Sequence, residues 1–142
     1  MLAVHPIIQF LAILLALYVF SLGLQRFRFL HLQQKSIFRW KWHAALGKIA
    51  LGLLLAGMLG GMAMVYVYWH GFFVMGMHGK VALAMVPFII FGVGSGLYMD
   101  HKKKNRKLLT FIHGLNNLVV LVLALTQVVS GWGIYRSFVL GG

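Results

Sequence analysis

Four of the seven histidines, His5, His43, His78 and His113, stand at or near the start of a long apolar stretch. Imidazole is the commonest metal ligand among side chains. It is also costly in hydrocarbon, so an ionisable group inside a membrane span points to function. Eighteen residues on from each of the four lies a glycine: His5 leads to Gly23, His43 to Gly61, His78 to Gly96 and His113 to Gly131. The other histidines lead elsewhere, His31 to Ile49, His70 to Phe88 and His101 to Val119. Glycine is only 17 of 142 residues, so four matches out of four set these histidines apart.

Eighteen helical residues make five turns and about 27 Å of rise. Each glycine therefore returns to its histidine's face nearly one hydrocarbon thickness away. Such a helix offers imidazole at one end and bare backbone at the other. Antiparallel packing would set the glycines of one histidine pair beside the other pair's imidazoles, opening room for a large flat ring, because glycine permits close approach of backbone to a ligand. Haem b suits this arrangement: its iron takes two axial imidazoles and needs no cysteine when bound noncovalently. With no cysteine in the chain, disulfides, zinc–thiolate sites and covalently attached haem are excluded.

The elements that must carry these residues are membrane spans. The chain is 61% hydrophobic and 10% charged, with a mean hydropathy of +0.89. Four stretches, 4–24, 44–66, 81–99 and 108–131, have the length needed to cross a bilayer. They use nearly the whole of 1–142, which is therefore one domain. Short connections predict an all-α, antiparallel four-helix transmembrane bundle. The opening Met-Leu-Ala-Val-His-Pro lacks a basic region, so the first stretch is not expected to be a signal peptide.

The formal charge of +12 does not imply nucleic acid. Arg26, Arg28, Lys35, Arg39 and Lys41 lie between the first two spans, and Lys102, Lys103, Lys104, Arg106 and Lys107 between the last two. That is the asymmetry of cytoplasmic loops, with lipid as the partner and both termini outside. Trp40 and Trp42 mark one interface; Trp69, Trp132 and Tyr135 mark the other. Ser36 is a candidate N-cap for the second helix, and Pro87 should kink the third.

Alternating direction pairs the histidines by depth. His43 and His113 fall toward the basic side, His5 and His78 toward the other, with His70 a competitor for the place of His5. Helices one and three are diagonal in such a bundle, as are two and four, so each pair can hold a planar group from both sides. Lys48, Arg39 and Lys41 on one side, and Lys80 and Arg136 on the other, are candidate partners for haem propionates. Asn117, one turn from His113, could tune that site, while Asn116, Thr126 and Gln127 suit bonds between helices. Gly57 with Gly61, and Gly92 with Gly96, form small-xxx-small pairs of the kind that pack helices closely. The chain has no serine–histidine–aspartate set, carboxylate pair or phosphate loop. Its single acid, Asp100, argues against a proton pump.

The segments HPIIQFLAILLALYVFSLGLQRF, WHAALGKIALGLLLAGMLGG, MHGKVALAMVPFIIFGVGSGLYMD and IHGLNNLVVLVLALTQVVSGWGIYR resemble the transmembrane core of the cytochrome b561 and ferric-reductase-like superfamily. They are also similar to a bacterial four-span family, the domain-of-unknown-function 4079 group. The superfamily resemblance implies two b haems, electron transfer across the membrane, and His43 with His113 and His5 with His78 as ligand pairs. The flanking helices of six-span members are absent, so their substrate sites do not carry over. The expectation is a multi-pass protein of the bacterial inner membrane. It would be an electron-transfer cytochrome, or a subunit of a quinol-linked oxidoreductase, docked on a redox protein or larger respiratory complex, with a possible quinone site. The alternative is a haem-free scaffold whose histidines only bond between helices.

Overall fold

The chain's structure, a computed structural model, describes residues 2–71, 74–102, 104 and 106–141. Lys103 of the basic loop therefore lies outside the described residues. Four helices follow one another: α1 Val4–His31, α2 Trp40–Trp69, α3 Gly76–His101 and α4 Lys107–Tyr135. A π-helical turn, Arg136–Leu140, prolongs α4. All four are long and apolar enough to cross a membrane. With 26 to 30 residues each they reach about 39–45 Å, so every helix overhangs a hydrocarbon core of about 30 Å.

Local chemistry explains some of the boundaries. Pro6 falls in the first turn of α1, where a missing N–H costs no helical bond. His70 ends α2 in the left-handed conformation, at φ 53°. The start of α2 departs from the sequence expectation. Arg39 holds the N-cap position, and the Ser36 hydroxyl instead donates to the Gln25 carbonyl, tying the 32–39 loop back onto α1. Pro87 sits inside an α3 that continues through it as α-helix. The cost is the bond that its nitrogen would have made to the Leu83 carbonyl.

The bundle is antiparallel and square. α1 packs on α2 and α4, and α3 on α4 and α2. Among the described residues no Cα of α1 comes within 8 Å of α3, nor one of α2 within 8 Å of α4. The diagonals are thus α1–α3 and α2–α4, as expected. Both termini share one end with the α2–α3 turn; the two basic loops share the other.

Side chains bury mainly at mid-depth. Ala12, Ile13, Leu54, Met85, Ile89, Val120 and Ala124 form one cluster. On each helix these positions fall between the histidine and the glycine that follows it. This aliphatic cluster lies between two levels of histidines, and Ile13, Leu54, Met85, Ile89 and Ala124 also floor a cavity on the terminal side. Large apolar residues such as Ile7, Leu59, Ile90 and Val129 are exposed around the outside, the surface that lipid would cover.

Candidate haem-binding levels

Each of the four histidines stands against the glycine of an adjacent helix, and the contacts are reciprocal. In the α1–α2 hairpin, a Cβ built on Gly61 would lie 2.6 Å from Cε1 of His5, and one on Gly23 would lie 3.1 Å from Cε1 of His43. In the α3–α4 hairpin the corresponding separations are 3.0 Å from Gly131 to His78 and 3.5 Å from Gly96 to His113. The eighteen-residue spacing thus has a direct cause. Two antiparallel helices, each with imidazole at one end and glycine at the other, interlock at both ends. The spacing alone predicts glycines that open room for a flat ring; what each one clears in the structure is its neighbour's imidazole.

One turn inward of Gly61 and of Gly96 a second glycine repeats the fit with other residues. Gly57 accommodates the side chain of Gln9, and Gly92 that of Asn117. These are the residues one turn beyond His5 and His113. The two small-xxx-small pairs therefore face a histidine and an amide side chain spaced by four on the partner helix. Gln9 Nε2 donates to the Leu54 carbonyl at 3.1 Å.

All four imidazoles are oriented through Nδ1. His5 Nδ1 lies 2.9 Å from the Gly57 carbonyl and His43 Nδ1 3.0 Å from the Val19 carbonyl. A carbonyl can only accept, so both rings carry their proton on Nδ1. His78 Nδ1 is 3.0 Å from Ser130 Oγ, and His113 Nδ1 2.8 Å from Ser95 Oγ. Both serine hydroxyls donate to their own helix: Ser95 to the Phe91 carbonyl at 2.6 Å, Ser130 to the Thr126 carbonyl at 3.1 Å. With its hydrogen kept on its own helix, each serine offers the histidine a lone pair, and these rings then carry Nδ1–H as well. Metal-bound histidines are held in this way, the outer N–H anchored and Nε2 left as the ligand atom. The two serines were not singled out in the sequence. Their one signal is that each directly precedes a glycine of the set.

One pair meets across its diagonal and the other borders a common cavity. His43 and His113 have ring centres 6.3 Å apart, with planes at 73°. Taking the zinc–imidazole bond of about 2.0–2.1 Å as the scale for a first-row metal, two rings bound to opposite sides of one ion stand about 6.2–6.4 Å apart, centre to centre. His5 and His78 face a cavity of about 660 Å³, which Gly61, Gly131, Gln9 and Gln127 also line. The remaining lining is largely aliphatic and aromatic, and the volume lies in the range of small-molecule and cofactor sites. Among the described residues no three His, Cys, Asp or Glu side chains converge. A cage built from protein ligands alone is absent there, but haem iron asks the protein for only two. At the basic level the donor type and ring spacing, and at the terminal level the donor type and cavity size, make these candidate haem sites. No family model matches the chain, and no curated protein or solved structure does.

The other candidates divide. His70 is exposed at the end of α2, and it is His5 that shares the cavity with His78. Lys80 and Arg136 are exposed and lie outside the cavity lining. Arg39 and Lys41 are exposed near the start of α2. Lys48 pairs with Asp100 at 3.5 Å, joining α2 to α3 near the basic end. Asn117 donates to the His113 backbone carbonyl at 2.8 Å, with its nitrogen 3.3 Å from Nε2 of that ring. Asn116 bonds across to the Phe88 carbonyl and Gln127 to the His78 carbonyl. Thr126 turns back on its own helix.

Proposed function

We propose that the chain is a dihaem b-type cytochrome of the bacterial inner membrane. It carries electrons between a quinol or cytoplasmic donor and a redox partner outside. The observation that carries this reading is the diagonal pair His43 and His113, two Nδ1-anchored imidazoles at the spacing of axial ligands. His5 and His78, also held through Nδ1, stand at the other end beside a cavity of cofactor size.

Bound at each level, haem b supplies one-electron redox chemistry at its iron. The chain's part is to hold and insulate. Nδ1 bonds fix the direction of each Nε2. Glycines let the helices close around the imidazoles, and the aliphatic middle keeps water from joining the two levels. Those levels are 14 to 18 residues apart along α1, from His5 to Val19 or Gly23, or about 21–27 Å. Small loops and an apolar exterior suit a subunit docked on a larger respiratory complex.

The test is colour and stoichiometry. Protein purified from haem-replete cells should be red, with a reduced b-type absorption band and two haems per chain. Colourless protein from the same cells would establish the haem-free scaffold, in which the same histidine bonds serve helix association alone.

A further inference from the structure

The two hairpins hold their histidines with different acceptors. In the α1–α2 hairpin the acceptor is the neighbouring backbone itself, Gly57 or Val19. In the α3–α4 hairpin a serine is interposed, so the chain of bonds runs from helix carbonyl to hydroxyl to imidazole. Because the paired histidines come from diagonal helices, each level contains one carbonyl-held ring and one serine-held ring.

We propose that Ser95 and Ser130 are positioning residues that each set the electron-donating strength of one axial histidine, Ser95 through His113 and Ser130 through His78. This rests on the dihaem reading. A hydrogen bond from Nδ1–H raises the basicity of a ligating imidazole and so favours the more positive, oxidised iron. Removing the acceptor lowers that basicity and raises the reduction potential of the haem at that level. The levels stand about 21–27 Å apart by helical rise, so each serine acts on its own haem.

Potentiometric titration of the purified holoprotein tests this, with the low-spin ferric resonance spectrum as a second readout. Ser95→Ala should raise one of the two potentials and Ser130→Ala the other. Each shift should approach a tenfold change in the oxidised-to-reduced ratio, about 59 mV for one electron. Ser95→Thr keeps a hydroxyl able to bond the same helical carbonyl and should restore the wild-type value. If Ser95→Ala loses a haem that Ser95→Thr keeps, the hydroxyl is the part that matters, which supports the proposal. Loss in both variants, unmoved potentials, or both potentials shifting together in either Ala variant would overturn it. A colourless wild-type protein would sink the dihaem reading itself, whereas a red one with unmoved potentials sinks only the serine proposal.

Discussion

The two ends of this bundle are built on one plan and finished differently. At both levels an imidazole from one helix stands against a glycine of its antiparallel neighbour, anchored through Nδ1. At the basic level the diagonal rings stand 6.3 Å apart, with Asn117 against His113 and the Lys48–Asp100 pair close by. At the terminal level His5 and His78 border a cavity of about 660 Å³ flanked by Gln9 and Gln127. There the Gln127 Oε1 is buried without a hydrogen-bond partner among the described residues. Shared contacts place the four histidines; the polar residues around them differ and give each level its own environment. On the dihaem proposal, two haems held alike but surrounded differently would have different potentials.

The largest effect should come from removing a ligand. His43→Ala or His113→Ala should abolish the haem of the basic level and leave the terminal one. His5→Ala or His78→Ala should do the reverse. Haem per chain then falls from two to one, and the surviving spectrum identifies which level was lost. His31→Ala and His101→Ala should leave both. His31 stacks on Phe27 at 4.9 Å and His101 is exposed, so neither belongs to a diagonal pair. Identical residual spectra from His43→Ala and His5→Ala would remove the distinction between the levels.

Glycine substitutions should grade the same comparison. The Cβ of Gly61→Ala would lie 2.6 Å from His5, too close for any real contact, so the imidazole must swing and its bond to Gly57 must break. Affinity for the terminal haem should fall about tenfold, the equivalent of one hydrogen bond of roughly 1.4 kcal/mol. Gly131→Ala and Gly23→Ala, at 3.0 and 3.1 Å, should cost less. Gly96→Ala places its Cβ at an ordinary 3.5 Å from His113. It should retain both haems and gain up to about 1 kcal/mol of stability from the better helix former. Haem retention during dilution, measured across the four variants, should follow this order.

The architecture was legible because hydrocarbon leaves a chain few options: four apolar stretches, basic connections and short turns dictate an antiparallel helical bundle. The histidine–glycine spacing was legible because five helical turns return to one face. What that spacing did not disclose is the object the glycine accommodates. Distance along a helix says which residues share a stripe, but not whether the stripe opposite carries a ligand or a neighbour's side chain. Ser95 and Ser130 were hidden for a related reason. A helical serine commonly bonds its own backbone, and only the partner helix shows that the remaining lone pair meets an imidazole. Ser36 misled because a capping residue and a loop tether have the same composition.

The smallest effect concerns Lys48, which the sequence offered as a propionate partner and the structure pairs with Asp100. At 3.5 Å, with the side chains 50% and 30% exposed, the pair should contribute under about 1 kcal/mol. If joining α2 to α3 is all that Lys48 does, Lys48→Met and Asp100→Asn should lower thermal stability equally, with the difference from wild type shrinking as salt rises. Both should keep two haems. Asp100→Asn also frees the lysine, which makes the pair of variants diagnostic. A Lys48→Met protein that loses the basic-level haem, beside an Asp100→Asn protein that keeps it, would show that the ammonium holds the cofactor as well as the acid. The basic level would then have a charged anchor where the terminal level, with Lys80 and Arg136 outside its cavity lining, has only amides.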